Sequence, residues 1–149
     1  MTPLLPLRER TPRQLIVLLG VAGVLPMVAC LVMAEAEHSL LIFKTYSVSI
    51  IAFLSGIWWS TALMTRDLSA RMRVEVLLMS NAIVLVAVGA VIFLDDHSLL
   101  VLGLLYVFLL LGEGSHIAFR KQPHYYSRMR QGVTLLVLAL HLAAYGILL

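Results

Sequence analysis

The sequence predicts an all-α protein, an integral membrane bundle of five transmembrane helices with a cytoplasmic N-terminus and the C-terminus outside. Three observations carry this prediction. The 149 residues are 61% hydrophobic and 13% charged, against about 45–50% and about 25% for a soluble domain. A core of this length cannot hide that excess, so lipid must cover it. The apolar residues gather in five runs, each near the roughly 20 residues a helix needs to cross hydrocarbon. Ten of the eleven Lys and Arg residues fall on one side of the membrane those runs define.

Residues 1–12 read as a cytoplasmic N-terminal arm, irregular at the surface because of its three prolines, and residues 13–149 as a single transmembrane domain. Span 1 runs near Arg13 to Ala34. Pro26 removes one of its backbone hydrogen bonds and bends it. Span 2 runs near Leu40 to Met64, span 3 near Val74 to Leu94, span 4 near Ser98 to Phe119 and span 5 near Gln131 to Leu149. Unpaired backbone groups are not tolerated in lipid, and the runs lack the alternation of barrel strands, so the spans are helices. Short connections make sequential helices antiparallel neighbours. No internal repeat is visible, and an odd span count gives no inverted halves, which weakens the usual transporter signature.

The orientation follows from the loops. Arg8, Arg10 and Arg13 precede span 1. Arg66, Arg71 and Arg73 lie between spans 2 and 3, and Arg120, Lys121, Arg128 and Arg130 between spans 4 and 5. The other two connections carry Glu35, Glu37, Asp95 and Asp96. Basic loops stay in the cytoplasm during insertion. Net charge is +3, yet no soluble basic domain exists to hold nucleic acid. The partners expected are the bilayer and other membrane subunits or copies of the chain itself. Cys30 stands alone, which excludes an intramolecular disulfide and cysteine-based zinc or iron–sulfur sites. Met27-Val28-Ala29-Cys30 faintly resembles a lipoprotein cleavage box, but the apolar run continues to Ala34, favouring an uncleaved span.

Small residues suggest where helices meet. Ala52, Gly56 and Ser60 lie near one face of span 2, Gly20 and Gly23 in span 1, and Ala139 and Ala143 in span 5. Polar residues inside the spans are costly and therefore informative. Lys44 is expected to snorkel to the outer interface and pair with Glu35 or Glu37. Trp58 and Trp59 read as an aromatic belt. Glu113 is the only carboxylate in a span interior. Gly112 and Gly114 flank it, and it sits roughly 9 Å from the inner end of span 4 by helix rise. His116 and Arg120 share its stripe. Asn81 lies at similar depth in span 3, and His141 is deeper in span 5. Asn81, Glu113, His116 and His141 therefore form a candidate polar pocket. The competing reading makes Glu113 a packing device, protonated or paired with Arg120 or His116. Tyr125, Tyr126, Arg128 and Arg130 form a candidate interface anchor, following a helix end at Pro123.

No catalytic, cofactor or metal residues are assigned. Glu113-Gly-Ser-His116 has the Glu-x-x-His spacing of helical di-iron sites, but such sites need further carboxylates from other helices. A bis-His haem on His116 and His141 is weak, because their depths differ by about 8–10 Å.

Three segments resemble the transmembrane-protein-69-like family, small uncharacterised membrane proteins of bacteria with relatives in eukaryotes. They are Gly20-Val-Ala-Gly23-Val-Leu-Pro26; Tyr46 with Ile50 to Ser60; and Tyr125-Tyr126-Ser127-Arg128-Met129-Arg130 with Val133-Thr134. The chain departs where Trp58 stands in place of a frequent His and where Ser55 and Ser60 replace glycines. The resemblance implies the five-helix fold and the bacterial inner membrane, and no activity. Three functions remain in order: a non-enzymatic accessory or assembly subunit, a small oligomeric transporter or channel using Glu113, and a lipid- or quinone-acting membrane enzyme built on Glu113 with His116 or His141.

Overall fold

A computed structural model describes residues 7–119 and 124–149, excluding the side chains of residues 7–13 and 117. The described residues are helical throughout apart from their connections: α1 (Leu7–Ala22), α2 (Leu25–Val32), α3 (Ser39–Met64), α4 (Ala70–Phe93), α5 (Ser98–Ser115) and α6 (His124–Ile147). Among the described residues five stretches are long and apolar enough to cross a membrane: Gln14–Val32, Ser39–Met64, Ala70–Phe93, Asp95–Ser115 and His124–Ile147.

The first span is broken rather than bent. Pro26 has no N–H for the Ala22 carbonyl, and its ring would clash there. The chain tightens instead, with Val24 N bonding Val21 O and Met27 N bonding Val24 O. This strips the Gly23 carbonyl of its helical donor. Tyr46 on α3 supplies the replacement, its hydroxyl donating to Gly23 O at 2.7 Å. The part of the N-terminal arm from Leu7 to Pro12 is helical, not irregular. Leu, Arg and Glu there are strong helix formers. Thr2 to Pro6 lie outside the described residues.

Two other ends differ from expectation. α5 stops at Ser115, and Ile117–Phe119 turn back as one 3₁₀ turn. The turn buries Ala118 and Phe119, which apolar content alone reads as more span. α6 begins at His124, so Tyr125 to Arg130 are helical.

The buried face of α3 repeats at Ser47, Ile51, Ser55, Trp58 and Ala62, the spacing of one helical stripe. With it α3 packs against α2, α4 and α5, while α6 packs against α1, α2 and α5. Large apolar side chains such as Leu85, Leu104 and Leu142 point outward, as lipid contact requires. Arginine holds the connection between α3 and α4. Arg73 Nη1 donates to Ala62 O at 2.6 Å and Leu63 O at 3.0 Å, and its Nη2 to Thr65 O at 3.2 Å. These are the carbonyls that the end of α3 leaves without helical donors. Ser69 caps α4 by accepting from Met72 N at 3.2 Å.

At the opposite end, Lys44 does not snorkel to Glu35 or Glu37. It is buried, and its Nζ donates to the Asp95 carbonyl at 2.7 Å. Asp95 is the one described non-glycine residue with positive φ, at 40°. Its left-handed turn aims the carbonyl back at α3.

Candidate functional site

Glu113 stands two residues before the end of α5, not six. Its Oε1 accepts from Trp58 Nε1 on α3 at 2.8 Å and is ion-paired with Arg130 Nη2 on α6. One carboxylate oxygen thus joins three helices. The pairing is buried, with side-chain exposures of 8% for Arg130 and 13% for Glu113. A charge-assisted bond in such surroundings is strong, and so is the penalty for removing one partner.

Trp58 is positioned by the α3 stripe, which takes Trp58 inward at 2% exposure and leaves Trp59 outward at 46%. Only Trp59 therefore has the exposure of an aromatic belt. The Trp58 indole lies against Gly112, where an added Cβ would stand 2.3 Å from Cη2. Glycine at 112 is what lets the indole reach Glu113. Phe119 covers the other side, its ring centroid 5.2 Å from that of Trp58. Gly114 has no comparable neighbour, since no atom of the described residues lies within 4 Å of its Cβ position.

The four residues of the expected polar pocket separate. Asn81 is exposed, and its Nδ2 donates to Leu77 O of its own helix at 2.8 Å. His116 has left the helix, and its Nδ1 accepts from Ala118 N at 3.2 Å. The Glu113–His116 stripe fails because α5 ends between them. Arg120, the other expected partner of Glu113, lies outside the described residues. His141 belongs to a second network. Its Nδ1 lies 2.8 Å from Val137 O and its Nε2 2.9 Å from Ser47 Oγ. A carbonyl only accepts, so Nδ1 carries the proton, and a ring with one proton takes the Ser47 hydroxyl on Nε2. Tyr106 closes this network by donating to Ser47 O at 3.0 Å. A hydroxyl on an oriented His is the geometry of an activated nucleophile. Here Ser47 and Tyr106 are both fully buried.

The expected anchor also divides. Arg130 is 7% exposed and turns to Glu113 instead of reaching headgroups. Its guanidinium carbon sits 5.9 Å from the centre of the half-buried Tyr126 ring. Tyr125 is half-buried and engaged, and Arg128 is exposed. Among the described residues no three His, Cys, Asp or Glu side chains gather closely enough for a metal ion.

Sequence reasoning missed Trp58, Arg130, Ser47 and Tyr106 as partners. The signal for Trp58 was its place in the Ser47–Ile51–Ser55 stripe. For Arg130 it was the register Arg130, Thr134, Val137, His141, which are the buried positions of α6.

A groove of about 510 Å³ opens between α1, α3 and α6. Ile16, Gly20 and Val24 form one wall, Tyr46, Ile50, Phe53 and Ile57 a second, and Met129, Arg130, Val133 and Thr134 a third. Neither the curated proteins nor the solved structures offer a match to the chain. A family model does match, over residues 12–146, which take in the five spans but for Ile147, and the Trp58–Glu113–Arg130 clamp. Its description is protein of unknown function (DUF3429), and the chain belongs to that family.

Proposed function

We propose that the protein is a non-enzymatic accessory or assembly subunit of a larger complex in a bacterial inner membrane, with its N-terminus in the cytoplasm. The observation that carries this reading is how the polar groups are used. Glu113 is held by Trp58 and Arg130, His141 by Ser47 and Val137, and Lys44 by the Asp95 carbonyl. Each ties one helix to another or fixes a ring in the core. A transporter using Glu113 needs that carboxylate to exchange protons along a path, whereas its Oε1 is taken by Trp58 and Arg130. An acid–base enzyme needs two groups on one substrate, and Glu113 and His141 sit in separate networks.

What faces outward is suited to another helix. Gly56 and Ser60 are exposed on α3, and no atom of the described residues lies within 4 Å of the Gly56 Cβ position. Small residues let transmembrane backbones approach closely. The segregation of Arg and Lys supports the orientation. The segments that resemble the transmembrane-protein-69-like family support the bacterial inner membrane.

The test is mild extraction of a tagged copy at native expression, followed by native mass spectrometry. Stoichiometric membrane companions are expected, and Gly56→Leu should release them without disturbing the fold. A protein that purifies alone, with Glu113-dependent proton flux in liposomes, overturns the reading in favour of transport.

A further inference from the structure

We infer that the groove between α1, α3 and α6 is a phospholipid site, in which one acyl chain lies along the groove and its ester carbonyl meets Arg130. The argument starts from an unsatisfied donor. Arg130 lines the groove, and its side chain is more than nine-tenths buried. Nη2 is engaged by Glu113, but Nη1 is buried without a hydrogen-bond partner among the described residues. A buried unpaired guanidinium N–H is costly and calls for an acceptor. Turning the free edge of the guanidinium toward the groove supplies one when a ligand oxygen is there.

The charge of the site selects the kind of oxygen. Glu113 already neutralises Arg130, so a neutral carbonyl completes the site and an anion is not needed. The polarity of the walls selects the shape. Arg130 and Thr134 mark one end. Further along, the hydroxyl of Tyr46 is taken by Gly23 O, that of Tyr106 by Ser47 O, and that of Ser49 by Thr45 O. The remaining lining is largely apolar, from Ile16, Ile50 and Val133 among others. One acceptor end and one long apolar tail describe an acyl ester.

Depth agrees. Arg130 is six residues into α6, roughly 9 Å from its start by helix rise, with Tyr125 and Arg128 above it at the headgroup end. The volume falls in the range of about 300–1,000 Å³ common for small-ligand sites. This inference is independent of the accessory-subunit reading, because a lipid fills the groove whether or not the protein joins a complex.

The experiment is native mass spectrometry of the full-length protein in mild detergent, with extraction and identification of retained lipid. Wild type should retain one phospholipid per chain. Ile50→Trp and Val133→Phe, which fill the groove, should lose it, whereas Leu85→Trp on the outward face of α4 should keep it. Circular dichroism checks that each variant folds. A photoreactive side chain at Phe53, which is exposed and lines the groove, gives a readout that needs no plugging variant. An adduct of phospholipid mass supports the assignment. An adduct with detergent alone, with a quinone or with a polypeptide overturns it, as does equal lipid retention in Ile50→Trp and Leu85→Trp.

Discussion

Trp58 Nε1 donates to Glu113 Oε1 at 2.8 Å only because the same indole lies where Gly112 has no side chain. The bond and the glycine are one device, and they can be tested together. A Cβ at 112 would stand 2.3 Å from Cη2 and 2.7 Å from Cζ2 of the indole. Gly112→Ala should therefore push Trp58 off Glu113 and destabilise the protein by about 1–3 kcal/mol, the usual cost of overpacking. Gly114→Ala should be neutral or slightly stabilising, since alanine favours helix by about 1 kcal/mol and meets no atom of the described residues. Reversible unfolding in mixed micelles distinguishes the two, and equal effects would sink the argument.

The ion pair between α5 and α6 predicts strong coupling. Removing one member of a buried pair typically costs about 3–5 kcal/mol, because the survivor keeps its charge without a partner. Glu113→Gln and Arg130→Met should each approach that loss. The double variant should be far less damaging than their sum, since no uncompensated charge remains. Additive losses would mean that the two residues do not depend on each other.

The break at Pro26 makes a narrower prediction. Tyr46→Phe removes the donor to Gly23 O and should cost about 0.6 kcal/mol, the average for interhelical bonds in membranes, and at most about 1.7 kcal/mol. Pro26→Ala restores an N–H at residue 26 and lets the helix run on, so that Met27 N returns to Gly23 O. Tyr46→Phe should then cost much less in the Pro26→Ala background. The difference between the two measurements is the worth of the rescue, and a difference of zero removes Tyr46 from that role.

These devices differ in how far they can be read from sequence. The number and positions of spans follow from apolar runs, because lipid rewards only long apolar segments with paired backbones. The ends of α5 and α6 do not. Ile117 to Phe119 are apolar enough for span, yet Phe119 folds back onto Trp58. Hydropathy assigns Arg130 to a loop, since it scores an arginine the same whether its head meets water or a carboxylate. Glu113 was identifiable as a costly residue, but its partners lie 55 and 17 positions away. Only the phase of the stripes on α3 and α6 points to them. Gly112 carried a further hint, as a small residue beside a buried acid. The orphaned Nη1 of Arg130 is a purely three-dimensional property and leaves no mark on the sequence.

Orientation rests on charge alone, so it requires its own measurement. Lys44 is the eleventh basic residue and the exception to the bias, and its bond to Asp95 O explains why it sits at the other end. Arg73 is occupied with the end of α3, whereas Arg66 and Arg71 are exposed, Arg71 pairing through its Nε with Glu75 Oε1 of its own helix at 2.9 Å. In a Cys30→Ala background, His97→Cys should react with an impermeant thiol reagent added to intact cells. Ala70→Cys should react only after the membrane is opened. Both positions are exposed ends of helices, so failure to label cannot be blamed on burial. Neutralising Arg66 and Arg71 together should raise labelling of Ala70→Cys from outside while leaving the Arg73 cap intact. Labelling of Ala70→Cys from outside without that change would invert the topology, and the headgroups above Arg130 would then belong to the outer leaflet.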